Sequence, residues 1–332
     1  MAGVSRPILL SSLAALAFAA AILSLGVGAV PLSPARVLAV LAGGGDETAR
    51  IIVLQLRVPR AILGLAVGAM LGLSGAALQG YLRNPLAEPS VLGASNGAAL
   101  GAVAALYFGI AAVHPAALPL LAVAGALLAL LLLVMLAGRD ASALSLILAG
   151  IAVGTAAGAG IALALNLSPN PFAAMEITIW LMGSLEDRSL QHVALAVPCI
   201  AAGLVLLGWD ARGLDALTLG EDAARSMGVD LKRLRMRLLV GTALGVGGAV
   251  AVSGAIGFVG LIVPHLVRPL TDRSPSAVLW PSAIGGAALL TLADVAVRLL
   301  PTTSELRLGV VTALLGVPVF LWLLRRERGA WS

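Results

Sequence analysis

Arg57-Val58-Pro59-Arg60 leads into an apolar run, Ala61 to Leu78, which ends in Gln79-Gly80-Tyr81-Leu82-Arg83-Asn84-Pro85-Leu86-Ala87-Glu88-Pro89. As a helix the run rises about 27 Å, close to the hydrocarbon thickness of a bilayer. The stretch therefore sets two arginines at one membrane face. At the other it sets a polar turn broken by two prolines.

The rest of the chain repeats this pattern. Of 332 residues, 60% are hydrophobic and 11% charged, with a mean hydropathy of +1.05. A soluble domain carries about 25% charged residues. The charges here are clustered and leave apolar runs of roughly 16–24 residues, the length of membrane helices. Period-two alternation is absent, which excludes a transmembrane barrel. The fold class read from this pattern is an all-α polytopic membrane protein forming a single transmembrane domain over 1–332. Ten spans are expected: 8–30, 59–82, 91–111, 116–137, 143–166, 190–208, 234–252, 254–269, 276–299 and 305–324. The eighth is short and carries Gly257, Gly260 and Pro264, so it reads as a broken helix joined closely to the seventh. The run from Ile8 to Val30 is too long for the core of a secretory signal and reads as the first span.

Positive charge orients the array. With the N-terminus inside, 14 basic residues fall on inner segments (Arg6, Arg83, Arg139, Arg212, Arg225, Lys232, Arg233, Arg235, Arg237, Arg268, Arg273, Arg325, Arg326, Arg328). Seven fall outside: Arg36, Arg50, Arg57, Arg60, Arg188, Arg298 and Arg307. Both termini are then cytoplasmic, and the outer arginines invite a functional reading.

Small residues are arranged for close helix contact. Gly64, Gly68 and Gly72 repeat every fourth residue, as do Gly150, Gly154 and Gly158. Tight packing and a sliding interface both fit. Gly68, Ser74-Gly75-Ala76 and Pro85 recur at an offset of 179 as Gly247, Ser253-Gly254-Ala255 and Pro264. In the topology above these segments run in opposite directions, which is an inverted internal repeat of the kind found in transporters.

Several chemistries are excluded. The only lysine, Lys232, does not lie in a phosphate-binding loop, so any ATP is hydrolysed by another chain. Cys199 is alone within an apolar run and reads as a buried, inert thiol. His114, His192 and His265 are far apart and suggest no metal site; His265 reads as a structural hydrogen-bonding residue. Asp294 is the one acid well inside an expected span, and Arg298 lies four residues on, so a proton relay is poorly supplied. That pair reads either as structural or as holding Arg298 at the outer rim. No serine–histidine diad emerges from the histidine positions, which disfavours an intramembrane serine hydrolase.

The segment from Trp209 to Arg237 is the longest polar stretch at the inner face. It reads as two short helices separated by Gly220, with Thr218 capping the second through Glu221 three residues later. Leu214, Leu217, Leu219 and Met227 are expected to be exposed there. Such residues suit either a docking surface or a helical pair lying on lipid.

Together these strings resemble the permease subunits of the FecCD family, the membrane components of ATP-binding-cassette importers for iron–siderophore complexes, haem and cobalamin. The likeness spans nearly the whole chain. It is carried by Arg57-Val58-Pro59-Arg60, Ser74 to Gly80, Asn84 to Pro89, Leu92 to Ala98, Leu148-Ala149-Gly150, Trp180 to Ser184 and Leu219-Gly220-Glu221. It continues through Gly254 to Arg268, Ala293-Asp294 with Arg298, and Gly309 to Leu324. The resemblance implies a cobalamin-importer-permease-like fold and the membrane permease of a type II importer in a bacterial inner membrane. The implied cargo is an iron–siderophore complex, with haem or cobalamin as alternatives and a proton-coupled carrier as a remote one. The implied partners are a second copy of the chain, two cytoplasmic ATPases that hold ATP and Mg, and a periplasmic substrate-binding protein. No cofactor on this chain and no nucleic acid are expected.

Residue by residue, the resemblance gives Arg57, Arg60 and Arg298 as docking residues for the binding protein. It gives Leu214, Leu217, Leu219, Gly220, Glu221, Ala224, Arg225, Met227 and Gly228, within coupling helices over about 210–232, as the seat of the ATPase. It gives Asn84, Leu86, Ser142, Ala143 and Leu144 as parts of the cytoplasmic gate. Two departures stand out. Glu305-Leu306 is followed by Arg307 where the family has proline, which is expected to loosen the last helix start and to add a charge to the docking face. Ala143 and Leu144 replace small hydroxylated residues of the cobalamin permease, which disfavours a polar gate and cobalamin.

Overall fold

A computed structural model of the chain describes residues 5–138, 141–300 and 305–328. Arg139 and the side chains of Arg326 and Arg328, counted above among the inner charges, lie outside the described residues. The chain opens with α1 (Arg6–Gly26), α2 (Pro34–Leu41) and α3 (Glu47–Arg50), and a π-helical stretch (Ile51–Arg57) leads into α4 (Val58–Leu82). After a 3-10 turn at Pro89–Leu92 come α5 (Ala94–Tyr107), α6 (Ile110–Val113), α7 (Ala117–Ala137), α8 (Ala143–Asn166) and α9 (Pro171–Leu181). The chain continues through α10 (Leu190–Trp209), α11 (Ala211–Leu217), α12 (Glu221–Ser226) and α13 (Leu231–Ser253). It ends with α14 (Val259–Val267), α15 (Pro275–Leu299) and α16 (Leu308–Arg328).

Seven of the described helical stretches are long and apolar enough to cross a membrane: α1, the continuous Glu47–Leu82, α7, α8, α10, α13 and α15. The other three expected spans correspond to α5, α14 and α16. The span expected over 91–111 is shorter as a helix, because Gly93 and Gly109 adopt left-handed backbone at either end of α5. The eighth is broken, as expected. Gly254 to Phe258 is irregular before the nine residues of α14, and the 3-10 turn Arg268–Leu270 completes it. Helix α9 was not expected. Its signal is in the sequence: Asn170 caps it by accepting from the Ala173 N–H, and Pro171 fills the first helical position.

The glycine pattern is explained by helix crossings. A Cβ on Gly68 or Gly72 would overlap the carbonyl of Gly286 or Ser282, so α4 and α15 meet backbone to backbone. A Cβ on Gly75 would overlap the Gly260 carbonyl on α14. On α8 only part of the stripe packs this way: Gly150 meets Val91, whereas Gly158 has open space beside it. Cys199 is half-buried against Gly248 at the α10–α13 crossing, rather than fully buried.

The internal echo corresponds to the packing. Tyr81, at the end of α4, shares a cavity with Asp230, Lys232 and Arg235 at the start of α13, so the two echoing helices are antiparallel. The halves also exchange partners. Helix α4 packs on α15 and α14 of the second half, and α13 packs on α7 and α5 of the first. The short members α5 and α14 occupy corresponding places, as an inverted repeat requires.

Candidate functional site

Two surfaces, one at each end of the bundle, hold the charged residues. The first surrounds a cavity of about 540 Å³ lined by Arg57, Arg60, Glu186, Asp187, Arg188, Arg298 and Glu305, with the backbone of Val27–Val30. The π-helical stretch, where one residue is wound in beyond the α-helical count, ends at Arg57 and turns its side chain towards the end of α1. There the guanidinium donates to the carbonyls of Leu25 (2.8 Å), Gly26 (2.9 Å) and Val30. Arg298 donates to Ser24 O (3.0 Å), Val27 O (2.8 Å) and Ser24 Oγ (2.7 Å). The carbonyls of Ser24 to Val27 lie at the C-terminus of α1, where cations are favoured.

Asp294, buried on α15, bonds Arg60 (Nη2 to Oδ1, 2.8 Å) and Arg298 (Nη2 to Oδ2, 2.9 Å) together. Glu305 bonds the far side of Arg60. Arg307 pairs with Glu186 at 2.8 Å, and its carbonyl accepts from Val310 and Val311. The residue before α16 is thus tied to Glu186, on the loop that precedes α10. Arg57, Arg60 and Arg298, the three residues expected to dock a binding protein, line one cavity, with donors engaged within the chain. Arg188 differs. Its Nε is buried without a hydrogen-bond partner, and burial pulls its pKa below the ordinary guanidinium value.

The second surface is at the other end of α4. Helices α11 and α12 turn on Gly220, whose φ of +103° favours glycine. The expectation of four exposed apolar residues is corrected here. Leu214 and Leu217 are buried in the main core, on the face of α11 turned to the bundle, and Ala224 joins them. Leu219 (69% exposed) and Met227 (63%) point outward. The expected cap is also corrected. The Thr218 hydroxyl donates to Asp215 O within α11, and the N-cap of α12 is Gly220. Arg225 pairs with Glu221 (3.0 Å) and Asp222 (2.8 Å) on the exposed side, and Gly228 (φ +84°) ends the motif.

The end of α11 lies beside the turn after α4. Thr218 shares a cavity of about 450 Å³ with Gln79, Arg83, Asn84 and Pro85. Asn84 organises its turn by accepting from the Leu86 N–H through Oδ1 (2.9 Å) and from the Ala87 N–H through its carbonyl. Ser142 caps α8 by accepting from Ser145 N, Ala143 packs on the cluster holding Leu82 and Ala87, and Leu144 is 65% exposed.

Two further residues belong here that the sequence did not single out. Arg235 on α13 donates to Ala141 O (3.2 Å), tying the turn before Ser142 to the start of α13. Asp215 on α11 accepts from Ser276 N (2.8 Å) and so ties α11 to the first turn of α15, whose N-cap is Ser274. Asp215 lies 61 positions before its partner, a spacing that no local pattern reveals. His265 bonds Leu261 O, the structural role expected. Among the described residues no cluster of three or more His, Cys, Asp or Glu could hold a metal ion.

Comparison with known proteins covers the whole arrangement. The FecCD transport family model matches residues 16–326. The vitamin B12 import system permease proteins BtuC of Salmonella schwarzengrund (strain CVM19633) and Salmonella typhi are each 40% identical over 319 residues. The match covers 96% of this chain and 95% of theirs. A solved ABC transporter assigned to the metal-chelate type, in an inward-facing conformation, aligns with a TM-score of 0.85 and 31% identity. That alignment spans 97% of this chain and 99% of the other.

Proposed function

The chain belongs to the FecCD transport family and is a membrane permease of the type II ATP-binding-cassette importers, and from this premise we propose how it works. It pairs with a second copy of itself and imports a metal chelate across a bacterial inner membrane. The face bearing Arg57, Arg60 and Arg298 lies outside and receives a substrate-binding protein. Leu219 and Met227, with Glu221 and Arg225, meet an ATPase on the cytoplasmic face. Asn84, Leu86 and Ser142 to Leu144 form the inner gate.

One observation carries this reading: α4 and α15 run as a backbone-to-backbone pair from the coupling helices to the arginine rim. A pair packed that closely moves as one body, because a dense interface leaves no room to slide by fractions of a side chain. Nucleotide-driven motion at α11 and α12 is then delivered to the rim and to the gate turn. The rim arginines, engaged within the chain, act by holding the docking surface in shape. Cargo affinity resides in the binding protein, and the permease offers a passage of small and apolar side chains.

The cargo is a ferric siderophore in the first reading. Cobalamin is the second, favoured by what the 40% identical relatives are named for. The test is uptake by cells carrying the complete importer. Import that survives a protonophore and stops on ATP depletion supports the reading, and the opposite pattern refutes it. The ligand retained by the co-purified binding protein decides the cargo.

A further inference from the structure

The outer loop over 182–189 ties several elements together. Ser184 N donates to Ser253 O at the end of α13 (2.8 Å), Gly309 N on α16 donates to Gly183 O (3.4 Å), and Glu186 pairs with Arg307. Glu186, Asp187 and Arg188 of this loop line the outer cavity. The loop closes on α10 through one side chain. Ser189 is the N-cap of α10. His192, the third helical residue, reaches back so that its Nδ1 lies 3.2 Å from Ser189 N and 3.0 Å from Ser189 Oγ. A backbone N–H can only donate, so Nδ1 must present a lone pair and the ring is neutral. Glutamate or glutamine ordinarily makes this return bond in a capping box, and neither titrates between about pH 5 and 8 as histidine does.

The charged groups nearby offer an added proton no partner. Arg188 sets its own positive charge against the ring. Glu186 is taken by Arg307, and Asp187 is exposed. The outer part of α13, the helix packed along α10, carries no titratable side chain from Val240 to Ser253. On α4, which also packs against α10, Arg60 is bonded to Asp294 and Glu305. On α10 itself the next titratable group is Cys199, about two turns further in.

We propose that His192 is a pH-sensitive clasp on this outer loop, closed while the imidazole is neutral and released when the ring takes a proton. A protonated ring carries N–H at both nitrogens. Nδ1 can then donate to the Ser189 hydroxyl, but the Ser189 N–H loses its acceptor and a second cation stands beside Arg188. The closed loop holds only the neutral ring, so protons favour the open one. The clasp is therefore complete at neutral pH and lost as pH falls. Opening frees the segment that ties Glu186 to Arg307, and with it one wall of the cavity and the residue before α16. The inference rests on the importer reading above for the external pH that the loop meets, and on the fold alone for the clasp itself.

The test is hydrogen–deuterium exchange of the complete importer in lipid nanodiscs, read in peptides covering 184–192 and corrected for the intrinsic pH dependence of amide exchange. As pH falls from about 7.5 to 5, protection there is expected to drop on the order of 5- to 10-fold, the scale of one lost helix cap, while the inner half of α10 stays protected. His192→Gln keeps an acceptor that does not titrate, and is expected to hold its protection across the range. His192→Ala is expected to be open at every pH. Uptake by cells is expected to fall over the same external range in wild type and to stay level in His192→Gln. Protection that is constant with pH in wild type, or that changes equally in His192→Gln, overturns the clasp. Uptake that falls alike in both proteins removes its control of import. Failure of the importer reading would leave the exchange result standing, since exchange needs no transport, so the two failures are distinct.

Discussion

Asp294 binds two guanidinia at once, and at 3% side-chain exposure it does so almost without water. Removing one member of such a group strands the others, which costs about 3–5 kcal/mol. Asp294→Ala is therefore expected to lower the thermal midpoint of the purified permease by several degrees, followed by tryptophan fluorescence. The glycines make a sharper pair. Gly75 faces the Gly260 carbonyl with no room for a methyl group, so Gly75→Val is expected to cost about 1–3 kcal/mol or more. Gly158 faces open space, and Gly158→Ala should leave the midpoint within a degree or so of wild type, as a surface change does. Equal effects at both positions would contradict the packing described here.

At the scale of elements, α11 and α12 act through what they touch. Leu214 and Leu217 root α11 in the core, and Asp215 accepts from the first turn of α15. Asp215→Ala removes that link. It is expected to lower transport per ATP hydrolysed, while Asp215→Asn, which retains a carbonyl acceptor, restores most of it. Equal coupling in both variants would remove the link from the mechanism. The sequence made these helices legible as a polar pair broken at Gly220. It did not reveal which leucines turn inward, because α11 is only seven residues long and its buried face is set by α4 and α15, which come from elsewhere in the chain. The arginine cluster was half legible for the same reason. Arg57, Arg60 and Arg298 stand out as charges at span ends. That two of them serve the carbonyls of α1 depends on where that helix stops. Helix α9 was within reach, since Asn170-Pro171 is a helix-start signal, but an 11-residue helix is too short to register as a membrane span.

For the whole molecule, the spans were read from hydropathy and their directions from charge, and the structure adds how they interlock. Helix α1 starts near Asp272 and ends at the arginine rim, and α16 starts at that rim, so the described chain begins and ends towards the same face. Tags at both termini are expected to be accessible in inverted vesicles and shielded in intact spheroplasts. A tag reached from outside would reverse the assignment of the two faces. A cysteine at Ser142, in a Cys199→Ala background, is expected to cross-link two copies with a yield that changes on nucleotide binding; a constant yield would remove that turn from the gate. The exchange of partners between halves also bears on biosynthesis. Because much of the packing of α4 is on α15 and α14, and part of that of α13 is on α7 and α5, neither half is expected to mature alone. The ribosome must have released nearly the entire polypeptide before the first half is shielded from quality-control proteases. Genes split between α10 and α11 should then yield two fragments that are degraded singly and rescue each other when expressed together.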